Sequence, residues 1–265
     1  MLFRSVESRG DLTKLSVRQF AERFRGDMIP LSSTISYYCA SLPMTEEDVK
    51  EYLDEPVAAL PPSIKDALPK ISILFVPYLE REQKKTQAAP ADLVSMERPP
   101  ENRLSTASQV RIGNETVFAF GLKDQEVAEY HYRLYNLISN VAADPWPEEL
   151  EASFVKLLRE ELAAEAHGEV DEASWRLKQG LRRGSYKSSS GTGARTFRAY
   201  AKQSFIDTLT LYLHGICCDI DVDTGPRQLP SRNLRKRLTL LEQLFPPPKG
   251  YVIFPEQLEI GRAHV

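Results

Sequence analysis

Apolar residues near the start of the chain recur at helical spacing. In residues 16–25 (SVRQFAERFR) they fall on one side of a helix, with Ser16 at the N-cap and Gln19 in the capping-box position. A second helix is expected after Thr45, because the acids of TEEDVKEYLDE then occupy its first turn, where the helix dipole favours them. Pro56 is expected to break this helix.

Two β-type patterns follow. Residues 71–79 (ISILFVPYL) are apolar on both faces, which is typical of a buried strand, and Pro77 must then lie near its end or at an edge. Residues 86–108 are rich in Pro, Ala, Ser and charge, which predicts a long loop. Strand-like runs on both sides of Gly113-Asn114 predict a hairpin over 109–120.

The second half of the chain repeats the helical spacing. Its longest predicted helix runs from about Thr196 to His214, and Gly215 is expected to end it as a left-handed cap. The predicted core residues of this helix are Phe205, Leu209 and Leu213. Other helices are predicted over 125–142, 148–166, 170–181 and 231–245.

These patterns predict an α+β fold dominated by helices. The hairpin near 109–120 and the strand 71–79 form a small early β-sheet, and a mainly helical C-terminal half follows.

The strongest internal break is the Pro-rich stretch 144–147. We therefore expect a mixed α/β part, 1–143, and a helical part, 144–259, packed together as one unit. The last residues, 260–265 (IGRAHV), match the translation of a common sequencing adapter that ends in a stop codon. We expect an artefact there, and a natural chain that continues beyond Glu259.

Composition narrows the class of protein. With 42% hydrophobic and 27% charged residues the chain reads as globular, and its net charge of −3 gives no overall bias towards nucleic acid. Three cysteines in 265 residues do not make a disulfide framework, which indicates a reducing compartment. No apolar run approaches the roughly 18–20 residues of a membrane span, and the start lacks an apolar signal core. We therefore expect a cytoplasmic protein without membrane association.

The densest set of potential metal ligands lies in the stretch HGICCDIDVD. Thiolates and imidazole suit zinc or another soft metal, whereas carboxylates suit calcium, magnesium or manganese. The alternating acids fail as a helix-loop-helix calcium motif, because the glycine comes one place late and Pro230 replaces the final glutamate. The alternation is also typical of an extended edge, with the cysteines buried as small residues. The candidate ligands for a divalent metal cofactor are His214, Cys217, Cys218, Asp219, Asp221 and Asp223.

His131 stands on the apolar side of the predicted helix 125–142, beside Tyr130 and Tyr135. We interpret it as a buried, hydrogen-bonded histidine.

Charge is unevenly distributed in the C-terminal half. Acids dominate residues 144–172, whereas 176–202 hold bases and no acid. We expect acids of 148–172 to face bases of 176–202 or 232–237, because such pairing reduces self-repulsion. Each exposed pair would contribute only about 0–1 kcal/mol.

The basic segments 176–202 and 227–237 are candidates for binding phosphate. Within the first, the Gly/Ser-rich residues 184–193 precede a helix, an arrangement that suits an anion but also a solvated linker. It lacks the Gly-Lys-Ser/Thr ending of a nucleotide-binding loop. Aromatic residues are sparse among these bases, which disfavours nucleic acid. The candidate anion-binding residues are Arg182, Arg183, Lys187, Arg195, Arg232, Arg235 and Lys236.

Three functions remain open on this sequence. The first is a cytoplasmic ligand- or partner-binding protein without catalysis, for which a protein partner or an oligomer would be the expected assembly. The second is a metal-dependent enzyme, perhaps hydrolytic in chemistry, centred on HGICCDIDVD. The third is phosphate or nucleic-acid binding through 176–202 and 227–237.

Overall fold

The computed structural model of the protein describes residues 15–40, 42–82, 92–146, 150, 152–181, 191–218 and 227–254. The fold is mixed α+β, with small β-sheets early in the chain and a helical C-terminal half, which confirms the predicted class. The chain divides into two compact units. Unit 1 comprises Met1–Asp54 and Pro69–Tyr130, and unit 2 comprises Glu55–Leu68 and His131–Val265. The division predicted at residue 144 stays a prediction.

Unit 1 contains the strands, which form two sheets. The described strands are β1 (Ile29–Pro30), β2 (Ile35–Cys39), β3 (Lys70–Val76), β4 (Tyr78–Arg81), β5 (Asp92–Ser95), β6 (Leu104–Ser105), β7 (Ala107–Ile112) and β8 (Glu115–Gly121). The larger sheet has the order β1-β2-β3-β8-β7. β2, β3 and β8 are parallel, while β1 and β7 pair antiparallel with their neighbours.

The central strand β3 is buried on both faces, which explains its unbroken apolar sequence. Leu74 belongs to the same buried cluster as Phe20, a residue of the first helix. At the next position along the strand, the Phe75 ring lies 5.5 Å from the Tyr130 ring. Successive side chains point to opposite faces of a strand, so each face needs its own apolar residues.

The predicted strand 71–79 is divided at Pro77. β3 ends at Val76, and β4 belongs to the second sheet, whose antiparallel strands follow the order β5-β4-β6. Proline has no N–H to donate to a ladder, so strand pairing changes there. The loop predicted over 86–108 is wrong where β5, β6 and the start of β7 lie, because an apolar run as short as Leu93-Val94 carries no periodic signal.

The predicted hairpin is confirmed. β7 and β8 pair antiparallel up to Ile112 and Glu115, which leaves Gly113 and Asn114 as a two-residue turn. Gly113 has a φ of +61°, a conformation that glycine adopts without the steric cost a side chain brings.

The two predicted helix caps near the start of the chain are also present. α1 (Val17–Arg23) begins after Ser16, whose hydroxyl accepts from the Gln19 N–H, while the Gln19 side chain accepts from the Ser16 N–H. Thr45 caps α2 (Glu46–Val49) through the corresponding pair of hydrogen bonds with Asp48.

The break predicted at Pro56 is wrong. After α2 the backbone continues through a π-helix, Lys50–Asp54, into α3 (Glu55–Ala58), which contains the proline. The wider π turn just before Pro56 accommodates the missing N–H.

Helices build unit 2. Those that follow α3 in the described chain are α4 (Pro62–Ala67), α5 (Val127–Ala142), α6 (Phe154–Ala163), α7 (Glu172–Gln179), α8 (Gly191–Cys217) and α9 (Ser231–Leu244). The first turn of α5 belongs to unit 1, and its remainder to unit 2. In α8 the predicted core residues Phe205, Leu209 and Leu213 are buried.

α8 is longer than the sequence predicts. It runs through Gly215, the expected stop, and ends at Cys217. Ile216 is buried, so its packing favours one more helical turn. Burying an isoleucine stabilises by about 1.5–3 kcal/mol, more than the roughly 1 kcal/mol that a helical glycine costs. The extension places Cys217 within the helix instead of beyond it.

Candidate metal centre

The end of α8 brings two cysteines to a histidine of α5. Cys217 is the last residue of α8, Cys218 follows it, and His131 lies in the second turn of α5. One ligand atom from each residue lies within 4.8 Å of the other two. His131 is buried, and both cysteines are half-buried. These three residues, all in unit 2, form what we name the soft-ligand cluster.

The apolar pattern of each helix positions these side chains. In α5, His131 shares a face with Leu134 and Tyr135, which are three and four residues further on and fully or almost fully buried. In α8, the buried Leu213 and Ile216 hold the last turn in place, so that Cys217 and the residue after it are presented to α5. The packing of two helices therefore assembles the cluster.

Polar contacts favour the thiolate form of the cluster. The Sγ of Cys218 lies 3.3 Å from Nδ1 of His131, in a hydrogen bond. A hydrogen bond from Cys218 lowers the pKa of the Cys217 thiol to about 7, against burial, which raises it. Tyr135 acts in the same direction, but it donates its single hydroxyl proton to the Pro56 carbonyl oxygen at 3.1 Å. Thiolates are the metal-binding form of cysteine, so these contacts suit a metal ligand.

His214 lies one turn before Cys218 but outside the cluster. Its ring centroid is 5.9 Å from that of Tyr132 and 6.2 Å from that of Tyr135. Burial lowers the pKa of His214 to about 4, and the neighbouring His131 acts in the same direction, so the ring is neutral at neutral pH. Its Nε2 is buried without a hydrogen-bond partner in the described part of the chain. A ligand role for His214 stays a prediction.

The structure thus brings together two of the ligands predicted from the sequence, Cys217 and Cys218. The predicted ligands Asp219, Asp221 and Asp223 lie outside the described residues. His131 is buried and hydrogen-bonded as expected, but it also completes the cluster. Its distance from the cysteines along the chain left no local signal of that role.

A second polar cluster surrounds Arg237 of α9, whose side chain is fully buried. Its guanidinium forms ion pairs with Glu161 of α6 and with Glu169, at 2.5 and 2.8 Å. The other members of this buried charge network are Lys178, Tyr200 and Ser204. Every member is hydrogen-bonded, which is the condition under which buried charges are tolerated.

This network confirms that acids of 148–172 face bases of 176–202 and 232–237. The expected exposure was wrong for these pairs, which lie in the interior of unit 2. Alternating apolar and charged positions do not reveal which charge faces inwards, because a fully paired charge can occupy a core position.

The residues predicted to bind anions are distributed unevenly. Arg232, Arg235 and Lys236 are exposed along α9 and line a groove together with Lys156 of α6. Arg195 is exposed in α8 and does not line that groove. The remaining candidates lie outside the described residues and are Arg182, Arg183 and Lys187.

No family model, curated protein or solved structure matches this chain. Its function must therefore be argued from the chemistry of its own residues. Within the ranges that the structure describes, none of the helices is long and apolar enough to cross a membrane.

Proposed function

We propose that this protein binds a soft transition-metal ion, with zinc as the expected ion, through His131, Cys217 and Cys218. The observation that carries the proposal is the convergence of one imidazole nitrogen and two sulfurs within 4.8 Å of one another. Thiolate and imidazole ligands select zinc and copper over magnesium and calcium. The proposal narrows the first function inferred from the sequence, ligand binding without catalysis, to a metal ion.

The spacing fits tetrahedral zinc. Bonds of about 2.3 Å to sulfur and 2.0–2.1 Å to nitrogen place two sulfurs about 3.8 Å apart, and sulfur and nitrogen about 3.6 Å apart. The Sγ of Cys218 and the Nδ1 of His131 are already 3.3 Å apart. Modest side-chain rotations at the end of α8, where Cys218 is no longer helical, would bring all three atoms to these distances.

The first experiment measures zinc directly. Purified, reduced protein should bind one zinc ion, as measured by competition with a chromophoric chelator. Cobalt substituted for zinc should show sulfur-to-metal charge-transfer absorption, which reports thiolate ligation. Cys218→Ser and His131→Ala should each weaken zinc binding by about 100-fold or more, since loss of even outer-sphere partners costs about 10–100-fold.

Two matched variants control for the loss of a thiol or an imidazole elsewhere. Cys39→Ser removes the remaining cysteine, in β2 of unit 1, and His167→Ala removes an exposed histidine. Both should bind zinc as the unmodified protein does. Equal losses in the control and cluster variants, or no zinc binding tighter than millimolar, would reject the proposal.

A second candidate function is metal-dependent hydrolysis. It is favoured by the ligand count, because three protein ligands leave one zinc position for water, as in catalytic zinc sites. A zinc-bound water is acidic enough to supply hydroxide near neutral pH. The test is hydrolysis of activated esters and phosphate esters by the zinc-loaded protein. Activity that persists in Cys218→Ser would not come from this site.

Cytoplasmic location remains part of the proposal. All three cysteines are thiols, and a reducing compartment would keep Cys217 and Cys218 available as ligands. Fractionation of cells that express the protein, with the zinc content of each fraction, would test the location.

A further inference from the structure

A groove between α6 and α9 has a concentrated positive charge. It has a volume of about 630 Å³, and four cationic residues line it, with Glu160 as the single acid among its lining residues. The cations are Lys156, Arg232, Arg235 and Lys236. Leu157 and Leu240 add apolar surface to the same groove. The volume falls in the range of about 300–1,000 Å³ that is typical of small-molecule sites.

The protein neutralises little of this charge itself. Lys156, Arg232 and Lys236 form no ion pair with any residue that the structure describes. The acids Glu161 and Glu169, which could have faced them, are instead engaged by Arg237 on the buried side of α9. The buried charge network therefore leaves the exposed side of α9 basic.

Two further features favour an anion at this end of α9. The helix starts after Pro230, which offers no capping side chain, and its first turn contains no acid. The positive end of the helix dipole is therefore uncompensated close to Arg232. The Arg235 guanidinium stacks over the Phe254 ring, 4.5 Å from its centroid, and this contact limits its rotation.

The spacing of the cations indicates what kind of anion fits. Arg232, Arg235 and Lys236 stand at positions i, i+3 and i+4 of one helix, so their side chains are neighbours, with Cβ atoms about 5–6 Å apart. Lys156 faces them from α6. A single phosphate cannot contact all of these cations, whereas two or three linked phosphates can. The chain as a whole has a net charge of −3, which gives no long-range attraction to a nucleic acid.

We propose that this groove binds a small molecule with two or more adjacent phosphate groups. The cations of α9 and α6 hold the phosphates, and Leu157 and Leu240 contact the organic part where the ligand has one. This site is independent of the soft-ligand cluster, because the two share no residue.

Calorimetric titration of the full chain tests the number of phosphates. The probes are inorganic phosphate, pyrophosphate, tripolyphosphate and ATP, in buffer without divalent metal. Affinity should rise by about tenfold or more from phosphate to tripolyphosphate, since each added phosphate gains charge-assisted hydrogen bonds. Comparison of ATP with tripolyphosphate then shows whether the natural source is a nucleotide or an inorganic polyphosphate. Equal affinity for phosphate and tripolyphosphate, or no binding at millimolar concentration, would overturn the proposal.

Paired double variants test the location. Arg232→Gln with Lys236→Gln should weaken tripolyphosphate binding by about tenfold or more, through loss of two charge-assisted contacts. Arg195→Gln with Arg198→Gln removes the same charge from exposed positions of α8 outside the groove, and should change the affinity by less than about threefold, because solvent and salt screen distant charges. Equal losses in the two double variants would overturn the assignment to this groove.

Two further arms separate this proposal from its neighbours. Tripolyphosphate binding should be unchanged in Cys218→Ser, and its loss there would place the ligand at the soft-ligand cluster instead. A short single-stranded RNA should not displace tripolyphosphate at equal concentration of phosphate groups. Complete displacement by the RNA would replace the proposal with a nucleic-acid site.

Discussion

At the scale of single residues, Arg237 is the side chain that depends most on its neighbours. Its guanidinium is fully buried, and the desolvation of a charge costs several kcal/mol even in a relaxed protein interior. The compensation comes from Glu161 and Glu169, with a further hydrogen bond from its Nη1 to Ser204. Replacing the arginine alone would leave two buried carboxylates with too few partners.

We therefore expect Arg237→Met to destabilise the protein by about 3–5 kcal/mol, the usual cost of breaking a buried ion pair from one side. Urea unfolding followed by circular dichroism measures the change. Arg232→Met is the matched control, because it makes the same replacement at an exposed position of α9 and should change stability by no more than about 0.5 kcal/mol. Similar losses in both variants would mean that the network contributes little.

Glu169 makes the same network sensitive to acid. Burial opposes ionisation of its carboxyl, but the charge and hydrogen bonds of Arg237, with Lys178 and Tyr200, hold the pKa of Glu169 at about 2, below the ordinary 4.5. The folded protein therefore keeps this carboxylate ionised at a pH where the unfolded chain protonates it. Its stabilisation is fully present above about pH 4.5 and is lost as the pH falls towards 2.

The pH effect is measurable as a difference between variants. Between pH 6 and pH 3 the unmodified protein should lose roughly 2 kcal/mol that Glu169→Gln does not lose, because glutamine does not titrate. Acid effects shared by the two proteins cancel in this comparison of urea unfolding. Glu160→Gln removes an exposed carboxylate of α6 and serves as the charge-matched control. Parallel stability profiles for the unmodified protein and Glu169→Gln would contradict the assignment.

At the scale of elements, a close backbone approach holds Glu169 in position. The Glu169 N–H donates to the Arg227 carbonyl oxygen at 2.9 Å, and the Leu229 N–H donates to the Glu169 carbonyl oxygen at 3.0 Å. Gly168 permits this pairing. It has a φ of +71°, and a Cβ at its position would lie 2.0 Å from the Gln228 carbonyl oxygen.

Gly168→Ala should therefore cost about 3 kcal/mol or more, since backbone strain and a collision with rigid backbone act together. Gly113→Ala separates the two effects, because Gly113 also has a positive φ but has open space around it. That variant should lose only about 1–2 kcal/mol, from strain alone. Thermal and urea unfolding of the pair provide the measurement, and equal losses would show that the contact with Gln228 relaxes freely.

The elements that sequence predicted well are those decided by neighbouring residues. Ser16 with Gln19 defines the start of α1, and Gly113 defines the hairpin turn, because both depend on hydrogen bonds or φ angles within a few positions. The length of α8 was missed, since the burial of Ile216 outweighs the local preference of Gly215.

The candidate metal centre follows the same division. The paired cysteines stood out locally, and both belong to the soft-ligand cluster. His131 could not be assigned as a ligand, because its approach to Cys218 depends on how α5 packs with the end of α8. Likewise, Arg237 was one base among several in α9, and only packing decides that it faces inwards while Arg232 stays exposed.

At the scale of the whole molecule, neither compact unit is one continuous piece of chain. The chain leaves unit 1 after Asp54, returns at Pro69 and leaves again after Tyr130. Unit 2 therefore takes a short segment, Glu55–Leu68, from within the sequence of unit 1. No single cut separates the units, so a fragment chosen at one boundary lacks part of a core.

The contribution of Glu55–Leu68 to unit 2 leads to a test. Leu60 and Ile64 of this segment are buried, and the Pro56 carbonyl oxygen accepts the buried hydrogen bond from Tyr135. Loss of each buried aliphatic side chain costs about 2–5 kcal/mol, and a whole domain is stable by only about 5–15 kcal/mol. A fragment of residues 131–265 should therefore show no cooperative urea transition, whereas a fusion that adds residues 55–68 through a flexible linker should regain one. A fusion with the same residues in scrambled order controls for added length. Cooperative unfolding of the fragment alone would show that unit 2 does not need this segment.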